Sequence, residues 1–153
     1  MKQKNPNKKN GFIPQTTYDQ ITKLMPIVSV EALIIADDKM LFLRRKNEPA
    51  KGQWWFPGGR IRKDEALQET LSREIKEETG LKIVSARLIG VYSRIFPERH
   101  DVTIVYSCKC KPGKIILNEE HTEFKFFETP PSNLHQFLHE VINDSRKKLM
   151  KIN

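Results

Sequence analysis

The stretch Gly59–Leu81 reads GRIRKDEALQETLSREIKEETGL, and its second half has the pattern of an amphipathic helix. Apolar residues recur there at every fourth position, at Leu67, Leu71 and Ile75. Asp64 is of a type that caps helix N-termini, and Gly80 is of the type that most often follows a helix end. The stretch therefore predicts a helix that runs from Asp64 to Thr79 and buries one face.

The polar side of this helix carries a cluster of glutamates, Glu74, Glu77 and Glu78. Their spacing of i, i+3 and i+4 puts the carboxylates on adjoining positions of one face. Such groups repel one another unless a cation lies among them, and hard oxygen ligands of this kind suit Mg²⁺ or Mn²⁺. Taken alone, the cluster is also compatible with an ordinary solvated helix face.

Two neighbouring features suit a site for a phosphorylated ligand. Arg73 can pair along the helix with Glu77 or Glu69, and it can hold a glutamate in place or contact a phosphate. Just before the helix, Pro57-Gly58-Gly59 supplies backbone that can approach a ligand closely and turn a carbonyl toward a metal.

The whole stretch resembles the Nudix box, Gx5Ex7REUxEExGU (U is a bulky aliphatic residue), at every fixed position. On this pattern the chain is identified as a member of the Nudix hydrolase family, which includes the MutT-like proteins. The resemblance implies an α/β protein, an α/β/α sandwich with a mixed central sheet. It also implies an enzyme that hydrolyses nucleoside diphosphates linked to another group X, with Mg²⁺ or Mn²⁺ as cofactor.

The resemblance also assigns roles to individual residues of the box. The implied metal ligands are the Gly58 carbonyl, Glu74, Glu77 and Glu78. Arg73 would orient the glutamates, and Glu65 would support the loop and the helix. A water molecule activated by the metal would attack phosphorus, because a bound cation lowers the pKa of water and neutralises the diphosphate.

A second stretch, RRKNEPAKGQWWFPGGRIRKDE (residues 44–65), resembles the GDP-mannose mannosyl hydrolase subfamily. Arg45 and Arg60 match arginines that stabilise the departing nucleoside diphosphate there, which suits the guanidinium fork. The general base, a metal ligand and an acidic residue near the metal are matched by His121, Glu120 and Glu31 respectively. Because the N-terminal helix helps to form a dimer in that subfamily, a homodimer is implied.

One departure from this subfamily bears on the chemistry. Mannosyl hydrolases have lost box glutamates and attack the sugar carbon, whereas this chain keeps Glu74 and Glu77. Attack at the phosphorus of a nucleotide sugar is therefore the preferred interpretation. The alternatives are attack at the sugar carbon with His121 as base, a (d)NTP or ADP-ribose pyrophosphatase, and a Nudix fold that only senses nucleotides or binds nucleic acid.

Composition bounds these alternatives. The chain has 153 residues, of which 38% are hydrophobic and 30% charged, and its net charge is +8. This predicts one globular domain over residues 12–150, preceded by a disordered basic tail over residues 1–11. Without an apolar run long enough for a membrane span or a secretory signal, we expect a cytoplasmic protein. Much of the positive charge lies near the chain ends, so we expect a small nucleotide rather than a nucleic acid as partner.

Further elements are expected on both sides of the box. A helix is predicted over residues 14–24, then two strands from Ile27 joined by a turn at Asp37-Asp38, and a short strand at Trp55-Phe56. Later strands are expected near 82–94, 102–111 and 122–128, and a last helix over 131–149. Of the two adjacent tryptophans, we expect one to join the core and Trp54 to stack on a nucleobase.

Overall fold

The computed structural model describes residues 13–150, which form one mixed β-sheet and three α-helices. The helices are α1 (Gln15–Leu24), α2 (Leu67–Thr79) and α3 (Gln136–Met150). The strands are β1 (Ile27–Ala36), β2 (Lys39–Arg45), β3 (Trp54–Trp55), β4 (Gly58–Arg60), β5 (Ile83–Ile95), β6 (His100–Cys110) and β7 (His121–Phe127).

Strand β1 is the centre of the sheet. The strand order is β3-β2-β1-β6-β5, with β4 also paired to β1 and β7 also paired to β2. The β1–β6 pair is parallel and the other pairs are antiparallel. The β1–β4 register puts Glu31 opposite Gly58, so the glycine-rich loop before α2 lies directly against the middle of β1.

Alternate residues of the central strands bury two separate apolar faces. One face carries Val30, Ala32 and Ile34 of β1 and packs against Leu71 and Ile75 of α2. The opposite face carries Leu33 and packs against residues that include Leu138 and Val141 of α3. Burying each large apolar side chain contributes about 1.5–3 kcal/mol. The predicted α/β/α sandwich with a mixed sheet is therefore confirmed.

The hairpin between β1 and β2 forms where the sequence predicted it. Asp37 and Asp38 both have positive φ, 48° and 59°, which is the backbone of a tight two-residue turn. Helix α1 and strands β5, β6 and β7 also lie within two residues of their expected ends. The short strand occupies Trp54–Trp55, one residue earlier than expected.

Two predicted helix starts are wrong. Helix α2 begins at Leu67, not Asp64, because Asp64 lies in a turn with φ 64°, a left-handed conformation that does not lead into a helix. Ala66 is the N-cap residue, and the Glu69 carboxylate accepts its backbone N–H instead. Helix α3 begins at Gln136 rather than near residue 131.

Two expectations concern the chain ends and the membrane. The basic tail predicted over residues 1–11 lies outside the described residues. Within residues 13–150, no helix is long and apolar enough to cross a bilayer.

Candidate active site

Gly58 fixes the approach of the loop to both β1 and α2. A Cβ atom at this position would lie 2.2 Å from the Val30 carbonyl oxygen, so only glycine fits. The Gly58 backbone N–H donates to Oε2 of Glu78 at 2.7 Å, and Glu78 is only 2% exposed. The Glu78 side chain on α2 is therefore joined directly to the backbone of the loop at Gly58.

Gly59 makes room for a second carboxylate in the same way. A Cβ atom here would meet the carboxyl group of Glu74 at 2.5–2.7 Å. The bare backbone thus lets Glu74 lie flat against the loop. Both glycines are consistent with a site where side chains and backbone oxygens approach one point closely.

Arg73 ties the glutamate cluster to the start of the helix. Its Nε and Nη2 atoms donate to the two carboxylate oxygens of Glu65 at 2.6 and 2.9 Å. Its Nη1 donates to Glu74 at 2.5 Å and to Glu77 at 3.3 Å. A bidentate pair of this kind fixes the plane of the guanidinium, which in turn orients Glu74.

Glu65 is held as a carboxylate by its donors. The hydrogen bond from Arg73 is the main reason that its pKa falls to about 2, and donation by the Thr70 hydroxyl and the Arg62 backbone N–H adds to the effect. The expected supporting role of Glu65 is consistent with these contacts.

Glu78 and Glu74 differ from Glu65, because their surroundings raise the pKa of each carboxyl group. Burial raises the pKa of Glu78 well above its ordinary value, and the neighbouring Glu74 and Glu120 raise it further. Burial also raises the pKa of Glu74, against the lowering effect of Arg73, and Glu77 and Glu120 add to the rise. A divalent cation bound among these oxygens would offset both the cost of burying the charged carboxylates and their mutual repulsion.

The donor set fits a hard metal ion in its chemistry. Carboxylates and a backbone carbonyl are the ligands that Mg²⁺ and Mn²⁺ prefer. Between residues 13 and 150, however, no three His, Cys, Asp or Glu side chains are already arranged around one point as metal ligands. Small rotations of the glutamate side chains would be needed to complete such a site.

His121 lies behind the carboxylates rather than in front of them. It begins β7 opposite Arg45, its side chain is 3% exposed, and its Nε2 atom is 3.9 Å from Oε1 of Glu78. Its Nδ1 atom lies 3.2 Å from Oδ1 of Asn118. Burial, helped by the charge of Arg45, lowers its pKa to about 4, so the ring is neutral at pH 7.

A polar cleft of about 290 Å³ opens beside the glutamates. Most of the predicted site residues line it, namely Arg45, Gly58, Arg60, Glu74, Glu77 and Glu120. Glu78 and His121 are buried and are not among the lining residues, and Arg73 contacts Glu65 and Glu74 instead of the cleft. The sequence therefore identified residues from four separate segments that the fold brings together.

The two predicted diphosphate ligands are held differently. Arg45 is partly buried, its Nε donates to the Pro49 carbonyl at 2.7 Å, and burial lowers its pKa although Glu31, Glu78 and Glu120 lie near it. Arg60 extends along the cleft with its guanidinium carbon 5.7 Å from the centre of the Tyr18 ring. Both arginines line the same cleft.

The structure does not bring Trp54 into the cleft. Its ring packs edge-on against Phe127, 5.3 Å between centres, and Arg44 lies over it. The neighbouring Trp55 lines the cleft instead and donates from Nε1 to Glu31 at 2.8 Å. Successive side chains of a strand project to opposite sides, so only one of the pair could face this way.

Five further residues of the cleft were not predicted from the sequence. Tyr18, Arg94, Phe96, Arg99 and Asp101 line it, and none was singled out. Arg94 and Asp101 lie directly opposite each other in the β5–β6 ladder. Neither residue belongs to a recognisable motif. Only the register between β5 and β6 could therefore have identified them as cleft residues.

The fold and this carboxylate-lined cleft define a hydrolase of the Nudix type, and comparison with known proteins agrees. The family description "NUDIX domain" matches residues 25–150, and the chain belongs to this family. An ADP-ribose pyrophosphatase from Methanocaldococcus jannaschii is 37% identical over 123 residues, which cover 78% of this chain and 72% of that protein.

Two further similarities extend over much of the chain. The low-salt glycan biosynthesis protein Agl8 of Haloferax volcanii is 26% identical over 139 residues, covering 86% of this chain and 89% of that protein. The crystal structure of a MutT NUDIX hydrolase from Burkholderia pseudomallei superposes with a TM-score of 0.73 at 28% identity, covering 78% of this chain and 98% of that one. The chain is thus a MutT-like Nudix hydrolase that acts on pyrophosphate-containing substrates.

Proposed function

We propose that this hydrolase cleaves a nucleoside diphosphate linked to a sugar by attack of water on phosphorus. The observation that carries the proposal is the joint lining of one cleft by the carboxylates Glu74, Glu77 and Glu120 and by the arginines Arg45 and Arg60. Carboxylates that can hold a cation and guanidinium groups that can hold a diphosphate are the two requirements of this chemistry.

A divalent cation, Mg²⁺ or Mn²⁺, belongs to the proposal as cofactor. The residues that would hold it are the Gly58 carbonyl, Glu74, Glu77, Glu78 and Glu120. When bound, the cation supplies a more acidic water and offsets the charge of the diphosphate. The raised pKa values of Glu74 and Glu78 support this, because carboxylates that repel one another favour a bound cation.

The protein residues have distinct tasks in this scheme. Arg45 and Arg60 bind the diphosphate and stabilise the leaving phosphate group through charge-assisted hydrogen bonds. Arg73 contacts no substrate in this proposal and instead orients Glu74, as its bond to that residue indicates. Glu74 and Glu77, which line the cleft, are the candidates to accept a proton from the attacking water.

The position of His121 favours attack at phosphorus over attack at carbon. A base for attack at the sugar carbon must reach a water beside the sugar, and this ring is buried behind Glu78 with its Nδ1 beside Asn118. In this arrangement His121 supports Glu78 rather than taking a proton from water.

The substrate class rests on two similarities. The loop over residues 44–53 resembles that of enzymes acting on a nucleotide sugar, and a relative that is 37% identical is an ADP-ribose pyrophosphatase. ADP-ribose is itself a nucleoside diphosphate joined to a sugar. The second candidate, a (d)NTP pyrophosphatase, draws support only from the complete box.

The test uses ADP-ribose and GDP-mannose as substrates, with Mg²⁺, in water enriched in oxygen-18. Attack at phosphorus predicts labelled nucleoside monophosphate or labelled sugar phosphate, located by mass spectrometry. Label in free mannose or ribose would overturn the proposal in favour of attack at carbon. Cleavage of nucleoside triphosphates but of neither sugar nucleotide would assign the second candidate function.

A binding module without activity is the alternative from another class. It predicts no hydrolysis of any of these nucleotides and an oligonucleotide affinity that falls steeply with salt concentration. Any turnover that depends on Mg²⁺ and is lost with chelator excludes it.

A further inference from the structure

Four buried polar atoms, all on residues that line the cleft, have no hydrogen-bond partner. Within residues 13–150, the buried side-chain atoms in this condition are Glu31 Oε2, Arg94 Nε, Arg94 Nη2 and Asp101 Oδ1. All three residues line the cleft that also holds Glu74 and Arg60. Because buried polar groups in folded proteins almost always find partners, such a group at a cleft points to a ligand.

Each of the two carboxylates is held by one oxygen and leaves the other unused. Oε1 of Glu31 accepts from Arg94 at 2.7 Å and from Trp55 at 2.8 Å. Oδ2 of Asp101 accepts from Nε and Nη2 of Arg99 at 3.1 and 2.8 Å. The donors therefore converge on a single oxygen of each carboxylate, and the second oxygen, Oε2 or Oδ1, remains as an acceptor.

Neighbouring strands hold this arrangement rigidly. Arg94 of β5 lies opposite Asp101 of β6, and β6 lies beside β1, which carries Glu31. Arg94 is 1% exposed, with its guanidinium carbon 5.6 Å from the centre of the Trp55 ring. Arg99 also donates to the Tyr18 hydroxyl at 3.3 Å, which joins α1 to the same wall.

We propose that Asp101, assisted by Glu31, binds hydroxyl groups of a sugar in the substrate. An unused carboxylate oxygen needs a hydrogen-bond donor, and the hydroxyl groups of a sugar are donors of this kind. The inference rests on the proposed function, since the hydroxyls belong either to the nucleoside ribose or to the sugar beyond the diphosphate.

The test compares the wild-type protein with Asp101→Asn on three probes. These are ADP-ribose, ADP methyl ester, which lacks the second sugar, and ADP-ribose with a 2′-deoxyadenosine. For ADP-ribose we expect kcat/KM to fall by about 10- to 100-fold, the range of a lost hydrogen bond to a charged group. On the probe that lacks the hydroxyl groups bound by Asp101, the kcat/KM values of the wild type and the variant should differ by no more than about twofold.

The pattern of losses identifies the sugar. A loss that disappears with the methyl ester assigns Asp101 to the second sugar, and one that disappears with the deoxy probe assigns it to the nucleoside ribose. An equal loss on all three probes, or no loss on ADP-ribose, overturns the inference. The control is Glu98→Gln, at an exposed position in the loop before β6, which removes the same charge and should change none of the three rates.

Binding separates this inference from the proposed function. Calorimetry with ADP-ribose in the presence of Ca²⁺ measures affinity without requiring turnover. Weaker binding by Asp101→Asn, without hydrolysis by the wild type, would support the sugar site while refuting the proposed activity. Hydrolysis of all three probes with equal efficiency by both proteins would support the activity and refute the sugar site, and binding of ADP-ribose by neither protein would also refute it.

Discussion

Glu78 is the residue on which the carboxylate cluster most depends, because it is buried and joined to the Gly58 backbone. Glu78→Gln keeps an oxygen that can accept the Gly58 N–H but removes the charge. We expect kcat to fall by more than about 100-fold, since even contacts behind a metal ligand are worth 10- to 100-fold. Steady-state rates on ADP-ribose and GDP-mannose measure this.

The same substitution should leave the fold intact. Burial raises the pKa of Glu78, so a neutral amide removes a desolvation cost, and the thermal midpoint should stay the same or rise. Glu119→Gln, at an exposed position outside the cleft, makes the identical chemical change and should retain full activity. Full activity of the Glu78 variant would refute its assignment as a ligand.

A substitution at Gly59 tests whether the position of the Glu74 carboxylate against the loop matters for turnover. Gly59→Ala adds a Cβ that would lie 2.5–2.7 Å from the Glu74 carboxyl group. Because that group is the far end of a flexible side chain, it can move away at little cost in stability. We expect kcat to fall by about 10- to 100-fold with a nearly unchanged melting temperature.

Gly113→Ala is the matched control for this change. Its Cβ would meet no atom closer than 3.7 Å, so neither rate nor stability should change appreciably. An active Gly59→Ala variant would show that the position of Glu74 against the loop does not matter for turnover.

At the scale of elements, the link between the loop and α2 should make stability depend on pH. Hydrogen bonds from Arg73, Thr70 and the Arg62 backbone hold the pKa of Glu65 at about 2, below its ordinary 4.5. A carboxylate with a lowered folded-state pKa stabilises the protein above its unfolded pKa and loses this effect as pH falls through the folded value. The contribution of Glu65 is thus complete at pH 7 and disappears between about 4.5 and about 2.

Glu65→Gln tests this by urea unfolding at several pH values. We expect a loss of about 1–2 kcal/mol at pH 7, since one hydrogen-bonded ionic pair is weakened. The difference between variant and wild type should shrink as pH falls below 4.5. A difference that stays constant down to pH 2.5 would show that the carboxylate charge does not stabilise the loop.

The same elements explain what the sequence could and could not predict. The apolar stripe of α2, the β-branched and apolar composition of β1 and the Asp37-Asp38 turn are local patterns, and their elements were predicted within a few residues. The box placed Glu74, Glu77 and Gly58 at the site because its spacing is fixed along the chain. Asp64 was misassigned because a capping residue type says nothing about its own φ angle.

The other wall of the cleft depends on contacts between distant segments. Asp101 meets Arg94 only through the β5–β6 register, which contains an irregularity between Leu88 and Gly90. A shift of one residue would turn both side chains to the other face. Likewise, no periodicity in the pair Trp54-Trp55 indicates which ring faces the cleft, since both are apolar.

At the scale of the whole molecule, an apolar area of the sheet remains uncovered. Val91 and Ile95 of β5 and Val28 of β1 are exposed, and Ile104 and Val102 of β6 are partly exposed between them. The register joins these residues into one face, because Val28 lies beside Val102, Val102 opposite Ser93, and Val91 opposite Ile104. These five positions carry no charge in a chain that is 30% charged.

We expect a second copy of the chain to cover this face, a different interface from the N-terminal helix of the dimer that the resemblance implies. Uncharged patches of this kind are typical of the centre of homodimer interfaces. Val91→Asp would bury a charge without a partner at the interface, so it should convert a dimer into a monomer of 17.9 kDa. Val84→Asp, which makes the same change at the exposed far end of β5, should leave the dimer intact.

Sedimentation or light scattering gives the mass of each variant. A wild-type monomer at all concentrations, or a dimer that persists with Val91→Asp, would exclude this face as the interface. Retention of turnover by a Val91→Asp monomer would show further that each subunit carries a complete cleft.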